Sequence, residues 1–586
     1  MIPESRPAST SCLSLGILLL FIVLFAPGAS KPLQLDNMDF PAVAAQTAVR
    51  GVPVYYRGEQ NPQALGIYHP PLYIYLLAAW IRIFGFGETQ VRMFGMICAL
   101  LQGLIAIALL QCLFGRETVA RWRPWFWMIY LLNPYTLQSS TIADIDTTIY
   151  GPLLCLALLA VIRLSWRDGL WRADPIRRRE YVLVAAAITL CLWAKLTTVL
   201  IVFPFIFFLL IPRLSISRAM VTTAALTIAG IAAFLLTYFG YGKLTDLNVN
   251  FTFAFTWRSF LDRGSSQVPG LAARLMDFRG NALMMVPFMV RWTGLLPWMA
   301  GLGALVWAFL RLWRNRDVRA AHYGLLILVA LLTTAYYCGK TATFGAAPFK
   351  YVFVFWGLTL TAPVLLAFSG PKLWTLPEPE NAPWIREALW IAVPLAVGGF
   401  CATMLVGDPI LTGWAGRREW FVVLPALAFV LGAMIPSRAW GRGLLVAGFS
   451  AYCGVQLAVA LAQSKAVYAT TYEYGQTGFT DTVAFLKLNT GPDDVIASMK
   501  DIGFRAGRRY YENYQALYGD DQTEQWFIRA IASGKVVYAV FTEGRGEDQL
   551  VIRPSLQKWI AEHCDLVRSF GNYRIYKYRP TPDSSN

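Results

Sequence analysis

The chain has 586 residues, of which 56% are hydrophobic, 14% aromatic and only 15% charged, and its mean hydropathy is +0.47. Soluble domains carry about 25% charged residues, so an ordinary soluble protein is excluded and a polytopic membrane protein is indicated. The formal charge of +16 does not point to nucleic acid, because Lys and Arg fall mostly in short loops between apolar runs, as the positive-inside rule requires.

Residues 12–28 are apolar after a short polar start that holds Arg6. They read as a retained first span, with a cleaved signal peptide as the rival reading because Ala26 to Ala29 is small and turn-like. Two acids, Asp36 and Asp39, follow at once. Ala42 to Val49 can form a short helix on the bilayer surface. Pro70 and Pro71 then stand where proline is tolerated, at the first turn of a helix. That helix, Leu72 to Phe84, is about 20 Å long at 1.5 Å per residue. Hydrocarbon is about 30 Å thick, so the helix lies on the membrane or re-enters it.

Later spans follow from charge. Residues 91–114 cross, and Arg116, Arg121 and Arg123 follow. Residues 124–141 return to a loop that carries Asp144 and Asp146 without Lys or Arg, and 147–165 go back to Arg163, Arg167, Arg172 and Arg177 to Arg179. Tyr181 to Ile211 is too long for one span and reads as two short ones with Lys195 between them. Further spans are expected at 219–240, 282–310, 322–339, 351–369, 388–406, 420–436 and 443–463, with a polar, aromatic-rich loop at 241–280. The total is about 13 spans, with the amino end inside and the tail outside. Counting Leu72–Phe84 as a span would invert every later loop.

From about Lys465 the composition becomes that of a small soluble α/β domain. Helices are expected at Phe479–Leu488, Gln525–Ser533 and Leu556–His563. Strands are expected at Asp494–Met499, Val536–Phe541, Leu566–Phe570 and Tyr573–Tyr578. Residues 579–586 read as disordered. Of nine cysteines only Cys564 lies in this polar region, and there is no Cys-x-x-Cys, so neither a disulfide framework nor a zinc ribbon is indicated.

Asp36, Asp39, Asp144, Asp146, Lys195, Lys340 and Lys350 all fall on the outer face of this topology. Asp144 and Asp146 form an Asp-x-Asp pattern that could hold a divalent metal ion; capping of the following span by Asp146 is the bland alternative. Lys195 is costly to bury unless it pairs or reaches an aqueous cavity. Snorkelling to the interface is the bland alternative there.

An acid leaving the first span, Gly51, the His69-Pro70-Pro71-Leu72 helix start and Arg92 opening the next span together resemble the GT-C superfamily of polytopic glycosyltransferases. The His-Pro-Pro-Leu wording is similar to the protein O-mannosyltransferases; the related lipid A aminoarabinose transferases usually show Lys before the prolines. The family often has Asp-Glu at the acid, where this chain has Asp36-Asn37. The resemblance implies a GT-C domain over 1–464 with juxtamembrane helices at about 36–85, and an extracytoplasmic α/β domain at 465–578. It implies a multi-pass inner-membrane enzyme that uses a polyprenyl-phosphate sugar and an acceptor protein, lipid or glycan. Asp36 becomes the catalytic base, Asp146 the second catalytic carboxylate, and Asp39 a cap or supporting partner. Arg92, Lys195, Lys340 and the Lys350-Tyr351 pair become substrate-binding residues, with His69 supporting the helix start. No cofactor is required: cationic side chains or that divalent metal ion would stabilise the departing phosphate. A transporter or flippase is the rival class, disfavoured because the acids cluster in outer loops and no internal repeat is visible. A catalytically inactive envelope-assembly protein is kept open by Asn37.

Overall fold

The structure is a computed structural model. It describes residues 7–33, 36–53, 69–172, 174–247, 296–315, 318–340, 478–512, 521–542 and 554–579, with isolated positions at 249–256, 293 and 427–457. The chain divides into two compact units. One comprises Met1–Ser30, Arg92–Tyr241 and Phe253–Val467, and the other Lys31–Val91, Gly242–Thr252 and Tyr468–Asn586.

The helices in chain order are α1 (Pro7–Ala29), α2 (Asp36–Arg50), α3 (Leu72–Phe84), α4 (Glu88–Phe114), α5 (Arg116–Leu131), α6 (Pro134–Ser139) and α7 (Tyr150–Ile162). A hairpin of β1 (Trp166–Arg167) and β2 (Leu170–Trp171) follows. After it come α8 (Arg178–Leu192), α9 (Thr198–Leu210), α10 (Ile216–Thr245), α11 (Leu296–Asn315) and α12 (Val318–Lys340). Among the described residues, three helices are long and apolar enough to cross a membrane: Cys12–Ala29, Glu88–Phe114 and Ile216–Thr245.

Leu72–Phe84 forms a single helix with the expected limits, opened after Pro71 and stopped at Gly85, whose φ of 84° suits glycine. The helix expected at Ala42–Val49 instead begins at Asp36. Asp36 and Asp39 thus fall in its first turn. The span expected at 124–141 is corrected. α5 stops at Leu131, and Asn133 caps a new short helix by accepting from the Tyr135 backbone N–H at 2.9 Å, with Pro134 at the first helical position. Residues 140–149 then turn before α7. The pair of short helices around Lys195 is present as α8 and α9. The spans expected at 351–369 and 388–406 lie outside the described residues. So do those at 420–436 and 443–463 apart from isolated positions, most of the 241–280 loop, and the tail from residue 580.

α7 separates two chemically different ends, since Tyr150 begins it beside the acidic turn and Arg163 follows it at a basic end. The β1–β2 hairpin closes that basic end through an Asp168-Gly169 turn with φ of 51° and 79°, the signature of a type I′ turn. Asp168 accepts from the Arg116 backbone N–H at 2.7 Å, and the Gly169 N–H donates to Cys112 O at 2.9 Å. The Trp166 indole donates to His322 at 2.9 Å, joining the hairpin to α12. Beside it, Arg172 bonds Asp174 and holds that carboxyl down at about 2. This pair therefore stays ionised at neutral pH.

The second unit contains α13 (Phe479–Asn489), β3 (Val495–Ser498), α14 (Lys500–Ala506), β4 (Arg509–Glu512), α15 (Asp521–Ala532), β5 (Val536–Thr542), α16 (Pro554–His563), β6 (Cys564–Phe570) and β7 (Tyr573–Tyr578). The sheet order is β4-β3-β5-β7-β6, with β3 parallel to β4 and β5, and β7 antiparallel to β5 and β6. Strand alternation sends Ala497, Ala539 and Phe541 to one face with Phe527, Ile531, Leu556 and Ile560. It sends Ile496 and Val540 to the other with Phe479, Leu486, Ile502 and Ala506. Helices cover both faces of the central strands β3 and β5, which are apolar on both sides. α14 and β4 were not foreseen.

Candidate active site

The densest buried polar stretch among the described residues runs from Asn133 to Thr148. Gln138, Ser139, Ser140, Thr141 and Thr147 are all fully buried. Turn chemistry shapes its end. The Asp146 N–H donates to Asp144 Oδ1 at 3.1 Å, and Thr147 Oγ1 donates to Ile142 O at 2.7 Å. These side-chain turns hold the backbone out of helix until Tyr150.

Lys195 enters from the break between α8 and α9. Its Nζ donates to Asp146 Oδ1, and the two side chains are only 11% and 6% exposed. The ammonium also lies 5.4 Å from the centroid of the Tyr150 ring, within cation–π range. Thr198 Oγ1 donates to Lys195 O at 2.7 Å and closes the turn that carries the lysine. Burying such a pair costs several kcal/mol per ion before their attraction offsets it, so the pair is a candidate for function rather than an argument for stability.

Arg92, in α4, is 1% exposed. Its Nη1 donates to Ala29 O at 3.1 Å and its Nε to Thr141 O at 3.2 Å. The first contact satisfies one of the carbonyls left open at the end of α1; the second fixes the start of the acidic turn. Arg92 therefore braces the stretch that carries Asp144 and Asp146.

The remaining expected residues are placed less fully. Asp36 and Asp39 stand in the first turn of α2, with side chains outside the described residues. His69 precedes α3, its ring 6.0 Å from that of Phe40. Lys340 ends α12 with its side chain outside the described residues, and Lys350 and Tyr351 lie outside them altogether.

The sequence reading missed Tyr150 and the polar atoms of α6. Thr136 Oγ1, Ser139 Oγ and both ends of the Gln138 amide are buried and have no hydrogen-bond partner among the described residues. Each such atom costs about 1–3 kcal/mol if left so, and water or a hydroxyl-rich ligand would satisfy it. The signal was the uncharged Thr/Ser/Gln run itself. For a metal ion the donor set is poor: Asp146 is already engaged by Lys195, and no group of three His, Cys, Asp or Glu side chains gathers among the described residues. Hard divalent ions take about six oxygen ligands, so the described residues do not fit one well.

The acidic turn, Arg92 and Lys195 all lie within residues 68–238, which match the family model described as Dolichyl-phosphate-mannose-protein mannosyltransferase. Among solved structures, ArnT from Cupriavidus metallidurans in the apo state is 15% identical, covers 97% of this chain and 98% of its own, and superposes with a TM-score of 0.56. The same protein bound to undecaprenyl phosphate is 14% identical over 96% and 97% of the two chains, with a TM-score of 0.54. The chain has the GT-C fold. The Archaeoglobus fulgidus oligosaccharyltransferase in its apo form shares this GT-C fold at 12% identity and a TM-score of 0.53, over 90% of this chain and 69% of its own. No curated protein sequence matches the chain significantly. At these identities the structures establish the GT-C architecture, and the chemistry rests on the residues.

Proposed function

We propose that this protein is an inverting glycosyltransferase that moves a sugar from a polyprenyl-phosphate carrier to an acceptor at the outer face of the inner membrane. The amino end would be cytoplasmic and the α/β domain extracytoplasmic. The observation that carries the reading is the buried Lys195–Asp146 pair at a helix break, within a GT-C fold whose ArnT relative was solved with undecaprenyl phosphate.

The chemistry needs few groups. A base takes the acceptor O–H proton as the acceptor oxygen bonds to the anomeric carbon. The bond from that carbon to the phosphate oxygen breaks, and polyprenyl phosphate leaves with the electron pair. One displacement inverts the anomeric centre. The phosphate is already a competent leaving group, so no general acid is required, but its growing charge calls for a cation. Lys195 is assigned that role, with Asp146 holding the ammonium in place until the donor arrives, and Lys340 and Lys350 are assigned to the same substrate. Asp36 is assigned the base, as an acid opening the helix after the first span, and Asp39 the second acid of that turn. The orphaned Gln138 amide and the Thr136 and Ser139 hydroxyls are matched to sugar or acceptor hydroxyls. No step is routed through a metal, because Lys195 already neutralises Asp146.

Mass spectrometry of envelope lipids, glycans and proteins, with and without the gene, tests the proposal. One outward-facing glycoconjugate is expected to lose a single sugar residue on deletion. An unchanged envelope glycome with altered transport of an intact lipid would favour the flippase reading instead.

A further inference from the structure

Residues 31–91 and the α/β domain at 468–586, far apart in sequence, belong to the same compact unit. The contact runs through α14. This short helix has one side committed to the sheet, where Ile502 and Ala506 join Ile496, Tyr510 and Val540 in the core. Gly503 sits so close to the Tyr510 ring that an added Cβ would meet it at 2.3 Å, so the helix cannot slide on the strand. Its other side packs against α2.

Two residues of α14 also reach the segment between α3 and α4. The Phe504 ring meets Phe86 edge to face at 5.3 Å, and the Arg505 guanidinium lies 5.6 Å from the Phe86 ring centroid. Arg505 also pairs with Glu88, in the first turn of α4, with side chains 23% and 28% exposed. The segment is fixed to α3 as well, by the Trp80 indole donating to Gln90 O at 2.8 Å. α3 is in turn packed on α2, with Tyr73 edge-on to Phe40 at 5.2 Å. A closed ring of contacts results: α14 to α2, α2 to α3, α3 to the start of α4, and back to α14. The first residue of α2 is Asp36.

We infer that Arg505, with Phe504, is a positioning residue for the reaction: the α/β domain clamps the Asp36 helix through the Arg505–Glu88 pair and the Phe504–Phe86 contact. This rests on the glycosyltransferase reading only for its effect on turnover. The mechanical part stands alone. A misplacement of about 1 Å in a reacting group can cost about 10²-fold in rate, so a clamp at this point acts on kcat while leaving donor affinity to other residues.

The test uses the full-length protein in lipid nanodiscs and measures hydrogen exchange over residues 36–50 together with steady-state kinetics. Arg505→Glu sets two carboxylates against each other. It is expected to speed exchange across α2 and lower kcat by about 10–100-fold, with little change in KM for the lipid donor. The double variant Glu88→Arg with Arg505→Glu restores the pair and is expected to recover both readouts. Phe504→Ala gives a milder loss of the same kind and serves if the charge reversal does not fold. Arg579→Ala, which removes an exposed pair with Asp565, is the control and changes neither. Unchanged exchange over α2 in both single variants, or a loss that the charge swap does not recover, overturns the inference. A wild-type protein with no transferase activity would count against the proposed function, while the exchange data would still decide the clamp.

Discussion

Asp36→Asn is expected to reduce turnover by about 10²–10⁴-fold, the usual range for loss of a general base, while the protein still binds its lipid donor. The substitution keeps the size of the side chain and much of its hydrogen bonding, but the amide cannot accept a proton. It also keeps a favourable residue at the start of α2, since Asn caps helix N-termini about as well as Asp. Loss of activity would therefore report proton transfer rather than unfolding of the helix. Asp39→Asn, three residues further into the same turn, is expected to be milder. Purified Asp36→Asn enzyme working within a few-fold of wild type would remove Asp36 from the mechanism. Asp146 would then be the next candidate, although its carboxylate is held by Lys195.

The second large effect is expected at Lys195. A hydrogen bond to a charged group contributes about 1.5–3 kcal/mol, so Lys195→Ala should weaken the lipid donor by about ten- to a hundredfold, and turnover should fall with it. A complication is built into the site. Removing the ammonium leaves Asp146 as a buried unpaired carboxylate, and breaking such a pair destabilises a protein by about 3–5 kcal/mol. Lys195→Ala combined with Asp146→Asn removes both charges, so its donor affinity separates phosphate binding from folding. Lys195→Arg keeps the charge but not the compact ammonium geometry and should fall between wild type and Ala. If the double variant binds donor as tightly as wild type, Lys195 serves only to neutralise Asp146.

Much of this was legible from residues, for physical reasons that differ from place to place. α3 could be bounded because proline fixes its start and Gly85 its end. α8 and α9 could be separated because an apolar run too long for one span held a charge at its middle. The soluble strands were readable because β5 and β7 alternate between two covered faces. The break at Asn133-Pro134 was hidden, since apolar residues on both sides mimic one continuous span and only the cap geometry shows the stop. The Asp168-Gly169 turn sat inside a stretch read as a charged loop. The Asp146–Lys195 contact joins residues 49 apart, and no local periodicity encodes a pairing at that range. The clamp between α14 and the segment before α4 is harder still, because Glu88 and Arg505 are 417 residues apart and each reads alone as a solvated surface charge.

Binding of polyprenyl phosphate, the leaving group common to every donor of this class, tests the central claim without knowledge of the sugar. Native mass spectrometry of the purified full-length protein, titrated with undecaprenyl phosphate against an equal concentration of a neutral polyprenol, gives the answer. The account predicts selective, saturable retention of the phosphorylated lipid by wild type and its loss in the Lys195→Ala, Asp146→Asn double variant. Equal retention of the phosphate and the neutral polyprenol, or binding untouched by the double substitution, would contradict it.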